Sequence, residues 1–324
     1  MLTQRCIHDE FESQTSSSCH GITIANVFWK RDARDIAGKR RLRIQRKWSM
    51  TTCGRSGLLN LFCTYFNSRG PVARNPTEMV LEKHGVDCDL WGDILRTAGA
   101  VEAVYWRRFE HVAGVLQGTA LPHEEWAALL CTTGAVEAIY ADNLVALVAA
   151  LEQAHVPAAL WARILRSKAM SAAVENNSFQ SVAAAMAGVP AAHWADVLQS
   201  RGAQQAVLSR NFARVAAALR GVAPELWAGV LESDGFAEAV AQDDTEQVIS
   251  ALAAVPACFW AGILHTNGAF EAINWKNFGE LTAALRRHDV PVDTWEGVLN
   301  MNTTDVYEVL YNDALPAYVR QHLV

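Results

Sequence analysis

The residues able to do covalent or acid–base chemistry are scattered along this 324-residue sequence. Its ten histidines form no ligand-like cluster, and there is no glycine-rich phosphate loop, Gly-x-Ser-x-Gly or His-Glu-x-x-His motif. Cys258 and His265 lie seven residues apart on one predicted helix, so they share a face but stand two turns apart. A cysteine–histidine nucleophile pair needs hydrogen-bond reach. The sequence therefore predicts a non-enzymatic protein with no catalytic residue, no cofactor and no metal.

Tryptophan recurs at a nearly constant interval along most of the chain. The intervals are 33 or 35 residues, and the positions are Trp91, Trp126, Trp161, Trp194, Trp227, Trp260 and Trp295. Repetition at a period of about 20–50 residues is typical of repeat arrays. Aligning the tryptophans at position 6 defines seven units: 86–120, 121–155, 156–188, 189–221, 222–254, 255–289 and 290–324.

Three short helices are predicted in each unit. Positions 6, 9 and 10 are apolar, as in Trp260, Ile263 and Leu264, which is the spacing of one helical face, and Val-Pro often precedes it. Positions 12–14 mostly read Ser or Thr, a variable residue, then Gly or Ala, and the glycine is expected to let the backbone turn out of the first helix.

The second predicted helix carries Ala and Val or Ile at positions 18 and 19. Position 23 is Asn, Ser or Asp in units two to six, so its side chain is expected to cap a third helix. A single kinked second helix is the alternative to separate second and third helices.

These patterns predict an all-α, right-handed α-solenoid of about seven 33–35-residue repeats over residues 86–324. The repeated tryptophans then act as stacking anchors between units. Residues 51–85 are predicted to form N-terminal capping helices, with Asn75 as an N-cap. The last unit is atypical, because Thr303 and Thr304 replace the Gly-Ala pair and Pro316 interrupts the third helix. Residues 1–50, Ser-rich and then basic, are predicted to be a disordered arm.

Charge is divided unevenly along the chain. Residues 1–85 hold 14 Lys and Arg against 7 Asp and Glu, whereas residues 86–324 hold 14 against 27. The basic excess lies in Lys39, Arg40, Arg41, Arg43, Arg46 and Lys47. Such a run fits a nuclear-localisation or nucleic-acid patch, and equally a solvated tail.

Composition also bears on the compartment. No apolar run approaches the ~20 residues that span a bilayer, and residues 1–30 lack a secretory signal pattern, so no membrane partner is expected. Seven scattered cysteines without a Cys-x-x-Cys motif predict free thiols in a reducing compartment, the cytoplasm or nucleus. Export from a bacterium into a host cell is the alternative.

Exposed positions that vary from unit to unit are the candidate partner-binding residues. They are positions 11 and 13, on either side of the nearly constant Ser or Thr. The candidates are Arg96, Arg166, Gln199, Glu232 and His265 at position 11, and Lys168, Arg201, Asp234 and Asn267 at position 13. Free drift of exposed turn residues is the alternative. Because units three and four are basic and unit five is acidic, we expect an elongated protein partner with bipolar charge.

In period and helix count, the chain resembles the armadillo/HEAT class of α-solenoids. The segment from Ser200 to Val207 also resembles the central part of TAL-effector-type DNA-binding repeats, where a variable residue before a glycine reads one base per repeat. That resemblance implies nucleic-acid recognition through positions 11 and 13. The chain departs from that family at position 17, where four units carry a glutamate that would repel phosphates: Glu102, Glu137, Glu238 and Glu271.

The leading prediction is a non-enzymatic protein–protein interaction scaffold, in the setting of a bacterial effector or an intracellular adaptor. The alternative is a modular nucleic-acid-binding repeat protein that reads through positions 11 and 13, aided by the basic arm. A third hypothesis is an enzyme with an unfamiliar site in residues 51–85.

Overall fold

The computed structural model describes residues 75–300, and all regular secondary structure in this range is helical. Three helices follow one another in each of units one to six, and the all-α prediction is confirmed for the described residues. Three predicted regions lie outside the described residues. They are the arm 1–50 with its basic run, residues 51–74 of the cap, and residues 301–324 with Thr303, Thr304 and Pro316.

The first helix of each unit carries the repeated tryptophan. These helices are α2 Cys88–Leu95, α5 His123–Leu130, α8 Ala158–Arg166, α11 Ala191–Gln199, α14 Pro224–Glu232, α17 Trp260–Leu264 and α20 Trp295–Leu299. Short 3₁₀ turns, Ala257–Phe259 and Val292–Thr294, precede the last two. The position-2 prolines, such as Pro157, immediately precede the first helical residue, where a missing N–H costs nothing.

The second helices begin directly after the Ser or Thr of position 12. They are α3 Ala98–Tyr105, α6 Thr133–Tyr140, α9 Lys168–Glu175, α12 Arg201–Leu208, α15 Asp234–Ala241 and α18 Asn267–Asn274. The third helices are α1 Pro76–Lys83, α4 Phe109–Gln117, α7 Leu144–Gln153, α10 Phe179–Met186, α13 Phe212–Ala218, α16 Thr245–Leu252 and α19 Phe278–Arg287. The predicted Asn75 cap is present, since its Oδ1 accepts a hydrogen bond from the Thr77 amide at 3.1 Å.

Each helix packs against its counterpart in the next unit, so first helices stack on first, second on second and third on third. One continuous apolar core runs between the rows. Trp126, Trp161 and Trp194 are among its largest fully buried side chains, whereas Trp91 is half-buried. Most of these indoles also donate a hydrogen bond to the position-1 carbonyl, as Trp161 Nε1 does to Val156 at 3.0 Å. The tryptophans therefore pack in the shared core, and all except Trp126 also fix the start of their first helix.

The role predicted for the position-14 glycines is wrong. Gly202 lies inside α12 with an ordinary helical backbone, and the chain leaves the first helix through Ser200, which has extended φ and ψ angles. The glycine is needed for close approach: a Cβ on Gly202 would stand 2.6 Å from the Leu231 carbonyl oxygen of the next unit. Gly99, Gly134 and Gly235 meet the next unit in the same way, each at 2.7 Å.

The predicted capping of the third helices by position 23 is also wrong. Asn143, Ser178 and Asn211 occupy the N-cap positions of α7, α10 and α13 but make no side-chain cap hydrogen bond. Instead, the second helix ends in a Schellman motif, in which the position-23 amide donates to the position-18 carbonyl. For Asn211 that bond reaches Ala206 at 2.9 Å.

The preceding residue, position 22, adopts positive φ in every described unit, although it is never glycine. It is Arg107, Asp142, Asn177, Arg210, Asp243 and Lys276 in units one to six. These backbone turns, and not side-chain caps, set the angle between the second and third helices. None of the helices within residues 75–300 is long and apolar enough to cross a membrane.

Candidate functional site

A buried hydroxyl fixes the junction between the first and second helices in units one to six. Ser200 Oγ donates to the Val197 carbonyl at 2.6 Å and accepts from the Ala203 amide at 3.4 Å. The same two bonds are made by Thr97, Thr132, Ser167, Ser233 and Thr266. Because this hydroxyl holds both helix ends, positions 11 and 13 on either side of it project from the same place in units one to six.

The predicted site residues lie on this junction. At position 11, Arg96, Arg166, Gln199, Glu232 and His265 are all exposed. At position 13, Lys168, Arg201 and Asn267 are exposed, and Asp234 is half-buried. We call these residues, from Arg96 to Asn267, the junction ridge. Each position-13 residue is the first residue of a second helix, so the ridge also contains the N-termini of the second helices.

The structure brings the central ridge residues together across unit boundaries. The Lys168 amide donates to Gln199 Oε1 at 3.3 Å, and the Arg201 amide donates to Glu232 Oε2 at 2.9 Å. The Arg201 guanidinium also pairs with Asp234. At the ridge's N-terminal end, Arg96 pairs within its own unit, with Asp93 at 3.8 Å.

Further ion pairs join adjoining units: one lies between the two basic units, three and four, and the others lie between basic unit four and acidic unit five. Arg163 meets Asp196 at 3.3 Å, and Arg214 meets Asp243 at 2.9 Å and Glu246 at 3.6 Å. Together with the Arg201–Asp234 pair, these contacts partner the basic and acidic groups of adjoining units with each other. Part of the charge boundary read from the sequence is thus a set of exposed ion pairs between units.

Two adjacent carboxyls have opposite pKa shifts. A hydrogen bond from Arg214, with a second from Asn211, lowers the pKa of Asp243. Burial raises the pKa of Asp244, against a smaller opposing effect of Lys276. The first carboxylate is stabilised by its neighbours, whereas the second is charged at a desolvation cost.

An aromatic cluster that sequence reasoning missed lies on the second helices of units one and two. We define it as Tyr105, Trp106 and Tyr140, which are 68%, 42% and 42% exposed, and Val101 beside them is 40% exposed. The Trp106 ring centroid is 5.1 Å from Tyr105 and 5.9 Å from Tyr140, at interplanar angles of 88° and 66°. Trp106 Nε1 donates to Glu102 Oε1 at 2.8 Å, which fixes the indole.

A sequence signal for this cluster existed. Trp106 stands at position 21, outside the regular tryptophan position, and Tyr105 and Tyr140 share position 20. Other units carry Glu175, Ala241 or Asn274 at position 20, so the aromatic residues are local to units one and two.

A shallow groove of about 250 Å³ lies further along the same face, between α12, α15 and α18. Its lining includes Arg201 and Asp234 from the ridge, together with Gln205, Glu238 and Phe270. Charged and amide groups share this lining with Ala237, Ala241 and Phe270, so the groove can make both polar and apolar contacts with a partner surface.

The candidates for chemistry gain no support within residues 75–300. Cys258 lies in a 3₁₀ turn and His265 follows α17, so the two do not share one regular helix as predicted. Asp87, Cys88 and Asp89 place three ligand atoms within 4.8 Å of one another, but all three residues are exposed. A hydrogen bond with Asp87 and the nearby Asp89 charge raise the pKa of the Cys88 thiol, which disfavours the thiolate that binds metals.

No protein-family model, curated protein or solved structure matches this chain. The similarity to armadillo/HEAT proteins and to TAL-effector-type repeats therefore remains one of period and local pattern. The functional argument depends on the surface of residues 75–300 itself.

Proposed function

We propose that this chain is a non-enzymatic protein–protein interaction scaffold that binds its partner along the face formed by the second helices and the junction ridge. The observation that carries the proposal is the separation of constant from variable positions. At position 12 a buried Ser or Thr is retained from unit one to unit six, whereas positions 11 and 13 beside it are solvent-accessible and change from unit to unit. A rigid frame that displays changing side chains suits recognition of an extended partner.

The proposal includes the finer architecture. Seven units stacked as a right-handed α-solenoid over residues 86–324 would place the face on one continuous side, with residues 51–85 as a cap and residues 1–50 as an arm. The first helix of unit seven, Trp295–Leu299, continues the row of first helices and supports this count. An experimental structure of the full chain would test the handedness and the seventh unit.

The proposed setting is a reducing compartment, the cytoplasm or nucleus, for an intracellular adaptor or an effector delivered into a host cell. Cys88, Cys131 and Cys258 are free and exposed, and exposed thiols persist most readily under reducing conditions. The partner expected from the ridge is an elongated protein with groups of both charges.

The decisive experiment compares two charge-matched variants of the full chain. Arg166→Gln with Lys168→Gln removes two cations from the ridge, and Arg210→Gln with Arg220→Gln removes two exposed cations elsewhere. Affinity capture from host extract, followed by binding measurements with the purified partner, should show about a 10-fold loss or more for the ridge variant alone. Because exposed substitutions change stability by about 0.5 kcal/mol or less, both variants should melt close to the parent chain. Equal binding by the two variants would contradict the ridge as an interface.

The nucleic-acid alternative is favoured by one specific feature: each variable position-13 residue begins a second helix, and helix N-termini attract anions. The glutamates at position 17 of the same helices oppose phosphate binding. An electrophoretic mobility shift assay with DNA or RNA, titrated with salt, distinguishes the nucleic-acid alternative from the protein scaffold. Micromolar, strongly salt-dependent DNA or RNA binding that is lost in the ridge variant would replace the scaffold function with this alternative.

A further inference from the structure

We propose that the aromatic cluster, Tyr105, Trp106 and Tyr140, binds arginine side chains of an extended basic segment in a protein partner. This inference rests on the scaffold function, and it adds a partner chemistry and a second contact region at the N-terminal end of the same face.

The electrostatics of the second helices in units one and two favour a cation. Glu102, which is only 8% exposed and accepts the Trp106 indole hydrogen bond, and the half-buried Glu137 lie at position 17 beside the cluster. Positions 13, 16, 17 and 20 of these two units contain no Lys or Arg. Glu175, at position 20 of unit three, extends the acidic character along the same row. The half-buried Glu137 and the exposed Glu175 therefore give this face accessible negative charge, and the buried Glu102 adds to the field beside the rings.

The two nearest arginines of the chain do not reverse this charge. The Arg108 guanidinium donates to the carbonyls of Ile139 at 2.9 Å and Tyr140 at 3.2 Å, and it pairs with Asp142 at 3.5 Å. Arg107 lines a separate depression with Lys83, which lies on the third-helix row. Arg108 is thus partnered, and Arg107 contributes to a different part of the surface.

The arrangement of the rings is compatible with a guanidinium stacked on the indole. Neither tyrosine lies flat on the Trp106 indole, since the interplanar angles are 88° and 66°, and 42% of Trp106 remains exposed. Tryptophan is the best aromatic partner for a cation, and arginine adds planar stacking and paired hydrogen bonds to carboxylates. Side chains on one side of an extended segment repeat at ~6.6–6.8 Å. That spacing is comparable with the 5.1 and 5.9 Å ring separations, so alternate arginines can contact successive rings.

The test measures binding of a fluorescent peptide of five Arg-Ser repeats to the full chain by anisotropy. Matched peptides replace each arginine with lysine or with neutral citrulline. The protein variants are Trp106→Ala, Tyr140→Ala and Glu102→Gln, which keeps an acceptor for the Trp106 indole while removing the charge. The control is Leu208→Ala, because Leu208 is 52% exposed at the same position 20 but lies in unit four.

The arginine peptide should bind more tightly than the lysine peptide, and the citrulline peptide should not bind measurably. Each cluster variant should weaken arginine binding about 3-fold or more, whereas Leu208→Ala should leave it unchanged. No binding, equal binding by cluster variants and control, or equal binding of the citrulline peptide would overturn the proposal. Tighter, Trp106-dependent binding of an oligothymidine probe would also overturn it, in favour of a single-stranded nucleic-acid ligand.

This result is separable from the scaffold function. If the peptide fails to bind while the Arg166 and Lys168 double variant still loses its captured partner, only the arginine inference fails. If the peptide binds through the cluster but the ridge variant keeps its partner, the ridge proposal fails and the cluster remains.

Discussion

The backbone amide of Arg201 donates a 2.9 Å hydrogen bond to Oε2 of Glu232, which lies 31 residues further along the chain. Arg201 is the first residue of α12, so its backbone N–H has no hydrogen-bond acceptor within that helix. The side chain that ends one unit's first helix thus caps the second helix of the preceding unit. This contact gives position 11 a structural role besides its proposed role in binding.

Replacing Glu232 with Ala should therefore destabilise the chain, by about 0.5–1 kcal/mol, because a charge-assisted bond to a helix N-terminus is lost. Arg166→Ala is the matched control, since Arg166 occupies the same repeat position but has no acceptor atom in its side chain. Urea unfolding of both variants measures the difference. Equal losses would mean that the Arg201–Glu232 bond contributes nothing to stability.

Gly202→Ala should destabilise the chain by about 1–2 kcal/mol, because the new Cβ would stand 2.6 Å from the Leu231 carbonyl oxygen. We expect a moderate loss because unit three already accommodates an alanine at this position, the fully buried Ala169. Gly92→Ala provides the control: nothing lies within 4 Å of its Cβ, so better helix propensity should stabilise by up to about 1 kcal/mol. Thermal unfolding should show opposite signs for the two variants.

Trp126→Phe should lower the free energy of unfolding by about 1 kcal/mol less than Trp194→Phe does. Trp194 Nε1 donates to the Val189 carbonyl at 2.8 Å, so its loss leaves a buried acceptor unpaired. Among residues 75–300, no acceptor reaches Trp126 Nε1, although Trp126 is equally buried. The two variants lose similar apolar contacts, so the difference in unfolding free energy isolates the hydrogen bond. A larger loss for Trp126 would show that its indole nitrogen has a partner in solution.

Asp243 and Asp244 should respond to pH in opposite ways. The lowered pKa of Asp243 means that its contribution is present above the unfolded pKa and is lost as pH falls through the folded value. Asp243→Asn should therefore destabilise at pH 7 and have little effect near pH 2.

The raised pKa of Asp244 has the reverse consequence, because the folded state favours the protonated acid. Asp244→Asn should stabilise the chain at pH 7, and the benefit should disappear as pH falls below the unfolded pKa. Unfolding midpoints across pH 2–8 measure both variants. Parallel profiles for the two substitutions would contradict the assigned shifts.

The sequence alone determined the helical class, the period and the burial of the tryptophans. Trp161, Ile164 and Leu165 define one helical face without reference to distant residues, since helix formation and apolar patterning are local properties. Asn75 was also readable as an N-cap, because a cap acts on amides only two residues away. Handedness, unit count and function remain predictions.

Local reading failed at positions 14 and 23. Gly202 looks like a turn residue in sequence, but its reason is the Leu231 carbonyl of the next unit. The residues of position 23 look like side-chain caps, yet the positive φ of residues such as Asp243 leaves the connection to backbone hydrogen bonds. Glycine suits both a turn and a close backbone contact, and Asn, Ser or Asp suits both a side-chain cap and a residue that bonds only through its backbone. The neighbouring residues decide between these roles.

Tertiary structure alone decided which side chains meet. Stacking pairs the Arg201 guanidinium with Asp234, and both residues occupy position 13 of their units. It also brings the Arg201 amide to Glu232, which occupies position 11. The spacing of the tryptophans specifies how often a unit recurs, whereas the offset between stacked helices depends on the packing of side chains and backbone at each interface. For the same reason, Trp106 and Tyr140 form one cluster only because α3 and α6 pack side by side, and their separation of 34 residues becomes a contact between rings.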